Sequence, residues 1–240
     1  YDLYSAGCGI STISPINPYF SGGVKWRLKD SIIRLHNLEA VIEEQQERNS
    51  GIVSGGGLVF GYNSTDNPFV PHRGLKSNFE AEFAGLVRNS DAITDFPFLK
   101  FGYVNSFYYP VWAKGTFKAR GDLKFIQPLW NGTAEGLPLT EKFFLGGVNT
   151  VRGFAPGQIG DYFTPGNPTG GISSQLFSVE YMQKIFQPVD AFVYFDTGAV
   201  TQRSFDIGKF YMATGVGVRL HIGQPLPFVL GWGYPINPDR

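Results

Sequence analysis

The sequence has one cysteine, no excess of either charge and no long apolar run. Cys8 is the single cysteine among 240 residues, which excludes an intrachain disulfide, a cysteine-based zinc site and an iron–sulfur cluster. The 20 basic and 20 acidic side chains cancel, so bulk charge does not indicate nucleic acid or an anionic surface as the partner. With no window of about 18 apolar residues we expect no transmembrane helix, and the first ten residues do not resemble a signal peptide.

Charged residues are also scarce, at 17% of the chain, compared with about 25% in typical soluble domains. Aromatic residues reach 16%, and the chain has 31 glycines and 16 prolines. These residue types favour strands and turns over helices. The composition therefore predicts an all-β protein, and membrane-spanning strands are compatible with the lack of a long apolar run.

Polar and apolar residues alternate with period two along several segments. In TFKARGDLKF one face carries Lys118, Arg120, Asp122 and Lys124, and the opposite face is apolar. LKSNFEAEFAGL and GGVKWRLKDSII alternate in the same way. In a soluble sandwich the apolar faces would meet another sheet. Charged residues on the other face of strand after strand instead fit an antiparallel transmembrane β-barrel, with lipid outside and water inside.

Ten strands are predicted from this alternation and from the turn residues between segments. They lie near residues 3–15, 22–36, 51–65, 74–87, 98–109, 116–128, 171–186, 190–201, 209–222 and 227–236. Short joins alternate with longer ones, as periplasmic turns and extracellular loops do in membrane barrels. Aromatic residues mark the expected membrane interfaces: Trp112, Trp232 and Tyr234 are placed beside short turns and Trp130 at an opposite end.

The longest join, from about residue 130 to 170, contains GGVNTVRGF, with Arg152 among glycines. Taken alone, such an arginine is commonly a solvated loop residue. A phosphate-binding loop would need a lysine followed by serine or threonine, which is missing. His36, His72 and His221 lack the spacing of metal ligands, and no nucleophile with a base is recognisable. We therefore expect that the protein has no metal site, binds no cofactor and is not an enzyme.

Three kinds of segment resemble the BamA family of outer-membrane assembly factors. EKFFLGGVNTVRGF is similar to the family's conserved loop motif, whose residues here are Gly146, Gly147, Val151, Arg152, Gly153 and Phe154. NSTDNPFVPHRGLKSNFEAEFAG is similar to its strand-turn-strand segment, with turn residues Asp66, Asn67, Pro71, Arg73 and Gly74. SVEYMQKIF, VYFDTGAV and ATGVGVRLHI resemble its later barrel strands in the same order.

The resemblance implies a role for Arg152. In that family the long loop folds back into the lumen, and carboxylates on the barrel wall hold its tip arginine. The matching carboxylates here are Glu180 and Asp196. Strand parity directs both toward the lumen and directs Val179 and Val193 toward lipid. A guanidinium forks well onto carboxylates, so the three residues are expected to form a latch for the loop.

The resemblance also implies that these residues are part of a larger protein. The family barrel has sixteen strands preceded by periplasmic POTRA domains, whereas about ten strands are predicted here. Residues 1–240 are therefore expected to be a partial outer-membrane barrel domain with the long loop at about 130–170. On this reading the POTRA domains, the first strands and the last strand are absent.

The function implied is that of an integral outer-membrane factor that folds and inserts β-barrel proteins. Its expected partners are unfolded outer-membrane barrel proteins, outer-membrane lipid and accessory assembly lipoproteins, without nucleotide or nucleic acid. The expected location is the bacterial outer membrane, with a mitochondrial or plastid outer membrane as the alternative. A two-partner secretion transporter or a TamA-like translocation factor is the nearer rival. A passive porin or a soluble lectin-like β-domain is the more remote one.

Overall fold

The structure, a computed structural model, describes residues 2–34, 51–85, 96–130, 132–162, 168–222 and 227–238. Ten antiparallel strands form one sheet in chain order. They are β1 (Asp2–Pro15), β2 (Phe20–Arg34), β3 (Gly51–Asn63), β4 (Gly74–Ala84), β5 (Phe98–Val111), β6 (Gly115–Pro128), β7 (Ser173–Phe186), β8 (Val189–Thr201), β9 (Tyr211–Leu220) and β10 (Phe228–Pro235). The ten predicted strands are confirmed, with ends that differ by at most two residues where the structure describes them; the predicted ends of β2 at residue 36 and of β4 at residue 87 lie outside the described residues.

Within the described residues, no helix is long and apolar enough to cross a membrane.

The two faces of the sheet differ as the alternation predicts. On the outer face, Phe60, Phe79 and Tyr103 form an exposed row across β3, β4 and β5. Val179 and Val193, expected to point outward, are also exposed. Aromatic and β-branched neighbours on one face are the usual side-chain pairs of antiparallel sheets. The sheet therefore presents to its surroundings the apolar surface that a membrane-spanning barrel wall requires.

The predicted positions of the aromatic residues at the membrane interfaces agree with the structure only in part. Trp112 is 89% exposed and begins a short 3-10 turn between β5 and β6, as expected for a residue at a short join. Trp232 and Tyr234 lie elsewhere, because β10 begins at Phe228 and pairs Tyr234 with Thr214 near the start of β9. Their placement beside a short turn was wrong. A rise of about 3.4 Å per residue carries them roughly 14 and 20 Å along the strand from that turn.

The core lies on the inner face, where the long loop between β6 and β7 packs against the wall. One cluster joins the loop to β7, β8 and β9; it comprises Leu145, Val151, Phe154, Ile159, Leu176, Val200, Tyr211 and Ala213. A second joins the start and end of the loop to β3 through β6; it comprises Val53, Ala84, Phe98, Ile126, Leu137 and Ile172. A fully buried Val, Leu, Ile or Phe side chain contributes about 1.5–3 kcal/mol to the stability of the fold. The loop therefore folds back into the lumen and forms part of the hydrophobic core.

Candidate functional site

The tip of the long loop is a closed turn that depends on glycine. Gly146, Gly147 and Gly153 have φ angles of +110°, +92° and +96°, a region that side chains disfavour. The backbone nitrogen of Gly147 donates to the Phe154 carbonyl oxygen at 2.8 Å, which closes the turn. The Thr150 hydroxyl accepts from the Gly146 nitrogen and donates to the Gly146 oxygen, at 2.9 and 2.7 Å. These bonds fix the direction in which Arg152 leaves the loop.

Arg152 meets both carboxylates that the resemblance indicated. Its Nε and Nη2 donate to the two oxygens of Asp196 at 2.7 and 2.9 Å, and its Nη1 donates to Glu180 at 2.7 Å. Its backbone nitrogen also donates to Asp196, which is 0% exposed and accepts a further bond from Ser178. Burial lowers the pKa of Arg152, but the bonds and charges of Asp196 and Glu180 outweigh it and raise the pKa. The guanidinium therefore stays charged.

Aromatic rings complete the pocket around the guanidinium. Its central carbon lies 3.5 Å from the ring centroid of Tyr194 and 5.9 Å from that of Phe192, both on β8. The neighbouring strand β9 leaves room for these rings, because a Cβ at Gly215 would overlap Tyr194 and one at Gly217 would overlap Phe192. A guanidinium over an aromatic face gains further electrostatic attraction.

Glu180 has a second partner that the sequence reasoning missed. Nη2 of Arg219, on β9, donates to Glu180 Oε1 at 2.6 Å, while Arg152 occupies Oε2. The alternation in GVGVRL places Arg219 on the same face as Gly215 and Gly217, so strand parity was the signal that could have found it. Among the described residues, Glu180 therefore keeps one cation if Arg152 is removed, whereas Asp196 keeps none.

Behind Arg152 the loop tip touches β9 and β10 through its backbone. A Cβ added at Gly153 would lie 3.2 Å from the Gly233 carbonyl carbon and 3.3 Å from Ala213 Cβ. We expect Gly153→Ala to lower the free energy of unfolding by about 1–3 kcal/mol, because the positive φ and the close backbone both disfavour a side chain. Urea unfolding followed by heat-modifiable mobility measures this change.

Gly136→Ala is the matched control for that substitution. Gly136 lies in the same loop, and a Cβ there would meet the Thr133 hydroxyl at an ordinary 3.4 Å. An equal effect of the two alanines would show that the approach of Gly153 to Gly233 contributes nothing to stability.

A second ion network lies at the entry of the loop, on a different part of the wall. The Glu141 side chain is 1% exposed, and its two oxygens accept parallel bonds of 2.7 Å each from Nη1 and Nη2 of Arg27 on β2. Lys100 on β5 donates to Glu141 Oε2 at 3.2 Å. Burial alone would raise the pKa of Glu141, but the bonds from Arg27 and the charges of Lys100 and Arg27 lower it to about 2. This carboxylate is therefore ionised at neutral pH.

Arg27 on β2 reaches a carboxylate on β4 because β3, the strand between them, is glycine-rich. Its Nε donates to Glu82 on β4 at 2.6 Å, over the backbone of β3. A Cβ at Gly55 on β3 would lie 2.5 Å from Glu82 Oε1. The sequence reasoning quoted EKFFLGG as part of the motif but gave Glu141 no role. The feature of the sequence that could have indicated Glu141 is a carboxylate directly after the largely apolar segment GLPLT.

Comparison with known proteins assigns the architecture. The model of the Omp85 superfamily domain matches residues 1–239. The chain belongs to the Omp85 superfamily. Its fold is similar to that of BamA from Haemophilus ducreyi lacking POTRA domains 1-3, with a TM-score of 0.78 and 16% identity, over 99% of this chain and 52% of that one. It is also similar to CdiB from Acinetobacter baumannii, with a TM-score of 0.58 and 13% identity, over 99% of this chain and 39% of that one.

These comparisons show the Omp85 barrel fold. The chain spans about half the length of the BamA structure that it matches.

The strand-turn motif forms the join between β3 and β4 of this Omp85 barrel. Asp66 accepts bonds from the backbone nitrogens of His72 and Arg73 at 2.9 and 3.1 Å. Burial acts to raise the pKa of Asp66, but these backbone bonds lower it overall. Asn67 Oδ1 accepts bonds from the backbone nitrogens of Phe69 and Val70, which follow it, and Gly74 has a φ of +111°. The motif therefore shapes a turn.

That turn also borders a cavity of the Omp85 barrel. Pro71 and its two preceding residues line this cavity of about 190 Å³ together with Met182 on β7 and Arg219 on β9. The His72 ring nitrogen Nδ1 lies 2.7 Å from the Thr116 hydroxyl at the start of β6. The turn is thus far from Arg152 along the chain, but the cavity that it borders is also lined by Glu180, a partner of Arg152.

The described part of the Omp85 chain contains no group of three or more histidine, cysteine, aspartate or glutamate residues that could hold a metal ion. His72 contacts Thr116, His221 contacts Asp190, and His36 lies outside the described residues. In both ion networks cations hold carboxylates in fixed positions. Chemically, the arrangement is suited to fixing a loop against a wall.

Proposed function

We propose that this protein is an integral factor of the bacterial outer membrane that folds and inserts other β-barrel proteins. The observation that carries the proposal is EKFFLGGVNTVRGF, the segment that resembles the BamA loop motif and whose arginine contacts Glu180 and Asp196. Membership of the Omp85 superfamily and the fold likeness to BamA support it. The proposed clients are unfolded outer-membrane barrel proteins.

The proposed mechanism is strand templating. Unpaired backbone groups are costly in lipid, so an incoming strand needs a partner before it enters the membrane. An exposed strand edge of the barrel supplies main-chain hydrogen bonds to that strand, while local thinning of the bilayer lowers the barrier to insertion. Such recognition of backbone requires no nucleotide and no cofactor. Accessory lipoproteins and outer-membrane lipid are the other proposed partners.

In this mechanism the loop acts indirectly. We propose that Arg152, Glu180 and Asp196 latch the loop to β7 and β8 and so hold the shape of the wall next to β9 and β10. Residues 1–240 are proposed to form part of a larger barrel, with upstream POTRA domains, first strands and a last strand in the whole protein.

Reconstitution of the full-length protein tests this proposal. Vesicles containing the purified protein are mixed with urea-unfolded outer-membrane barrel proteins of two unrelated types, and the heat-modifiable folded fraction is followed over time. We expect both clients to fold faster than in empty vesicles. No acceleration of either client would contradict the proposal. Steady conductance without acceleration would indicate a passive porin.

A further inference from the structure

The long loop contacts two different parts of the barrel wall. Its tip contacts β7 and β8 through Arg152, and its entry contacts β2 and β5 through Glu141. In the strand order, β2 and β8 are separated by five strands, whereas β5 and β7 are separated by β6 alone. Among the described residues the two ion networks have no residue in common. The loop therefore contacts the inner face of the sheet at two separate places.

The carboxylate of the entry contact is as deeply buried as that of the tip contact, with Glu141 1% and Asp196 0% exposed. Both oxygens of Glu141 bind one guanidinium, the geometry in which arginine and carboxylate interact most strongly. Next to it, the Thr140 hydroxyl lies 3.0 Å from the Ser31 hydroxyl on β2, and Lys29 Nζ donates to the Thr140 carbonyl oxygen at 3.4 Å. Leu137 and Leu139 on the same segment are buried. The entry segment is thus fixed by charge, hydrogen bonds and packing together.

The two anchors also belong to separate hydrophobic clusters. Leu137 packs with residues of β3 through β6, whereas Val151 and Phe154 pack with residues of β7 through β9. Between them lies the Gly146–Gly147 pair, both with positive φ, where the chain changes direction. The buried cluster around one anchor therefore shares no residue with the buried cluster around the other.

From this geometry we infer that Glu141 is a second positioning residue, which fixes the entry of the loop to the β2–β5 wall independently of Arg152. The loop is then a strap held at both ends. Arg152 sets the position of the tip, and Glu141 sets the position of residues 137–143. The inference goes beyond the proposed assembly activity and does not depend on it, because it concerns the position of the loop alone.

A disulfide reporter tests the inference in the full-length protein in lipid. Cys8→Ser removes the cysteine of residues 1–240, and any cysteine elsewhere in the full-length protein is likewise replaced by serine. Ser31→Cys with Thr140→Cys places two thiols where the hydroxyls are 3.0 Å apart. The rate of crosslinking under mild oxidation reports the entry of the loop. Cleavage by trypsin after Arg152 reports the tip in the same sample.

Glu141→Gln is expected to slow crosslinking by about tenfold or more, because it removes the charge-assisted bonds from Arg27 and Lys100, while trypsin still fails to cut after Arg152. Asp161→Asn, the same change at an exposed carboxylate of the same loop, is expected to leave both readouts unchanged. Unchanged crosslinking in Glu141→Gln would overturn the inference. Cleavage after Arg152 in that variant would overturn it as well, since the anchors would then not be independent.

Arg27→Lys keeps the test decisive if Glu141→Gln does not accumulate as a folded protein. Lysine retains the charge and loses the two parallel bonds. We expect an intermediate crosslinking rate and an uncut tip. A rate equal to that of the parent would overturn the inference.

Discussion

Arg152→Ala is expected to lower the free energy of unfolding by about 3–5 kcal/mol, the cost of breaking a buried ion pair by removing one partner. Asp196, which is 0% exposed, would lose both bonds from the guanidinium and keep those from Ser178 and from the backbone nitrogen of residue 152. Glu180 would keep Arg219. The loss therefore comes chiefly from a buried charge on Asp196 without a cation.

The measurement is urea unfolding of the full-length protein in lipid, followed by heat-modifiable mobility. Arg203→Ala is the matched control, because Arg203 is exposed, and surface changes of this kind stay within about 0.5 kcal/mol. Arg152→Lys is expected to fall between the parent and the alanine variant, since it keeps the charge and loses the fork. An Arg152→Ala midpoint equal to that of the Arg203→Ala control would contradict the latch.

The second large effect expected is a loss of stability in acid that depends on Glu141. Its pKa is lowered from 4.5 to about 2 in the folded protein. A carboxylate whose pKa is lower in the folded than in the unfolded state stabilises the fold. This stabilisation is complete at pH values above the unfolded pKa and is lost as the pH falls from about 4.5 toward 2. The shift corresponds to about 3 kcal/mol at neutral pH.

Unfolding free energies of the parent and of Glu141→Gln, each measured at neutral pH and in acid down to about pH 2.5, isolate this contribution. We expect a gap between the two proteins at neutral pH that narrows steadily below the unfolded pKa of the carboxyl group. Asp161→Asn serves as the control and is expected to show no such narrowing gap. A gap of constant size across the range would mean that ionisation of Glu141 does not stabilise the fold.

Much of this architecture follows from local pattern. The period-two alternation placed all ten strands, and strand parity directed Glu180 and Asp196 inward and Val179 and Val193 outward. These features depend on a residue and its immediate neighbours, since the pleat alone decides which face a side chain takes. The position of Arg152 followed from a resemblance and not from the pattern.

Contacts across the lumen were harder to predict. Arg27 and Glu141 are 114 residues apart, and their meeting depends on the curvature of the sheet and on the path of the long loop. Strand parity gives a face but no height along the barrel axis. Trp232 and Tyr234 were placed at the wrong end of β10, although the predicted span 227–236 already put both nearer its far end. Arg219 shows the intermediate case, because its face was predictable and its pairing with Glu180 was not.

Depletion of the full-length protein in its native cells tests the central proposal most directly. The quantity to measure is the folded, heat-modifiable population of several unrelated outer-membrane barrel proteins as the protein is lost. The assembly function predicts a general fall in all of them, and restoration by the parent sequence. Intact barrels with loss of a single secreted protein would contradict it and assign the chain to a dedicated secretion transporter.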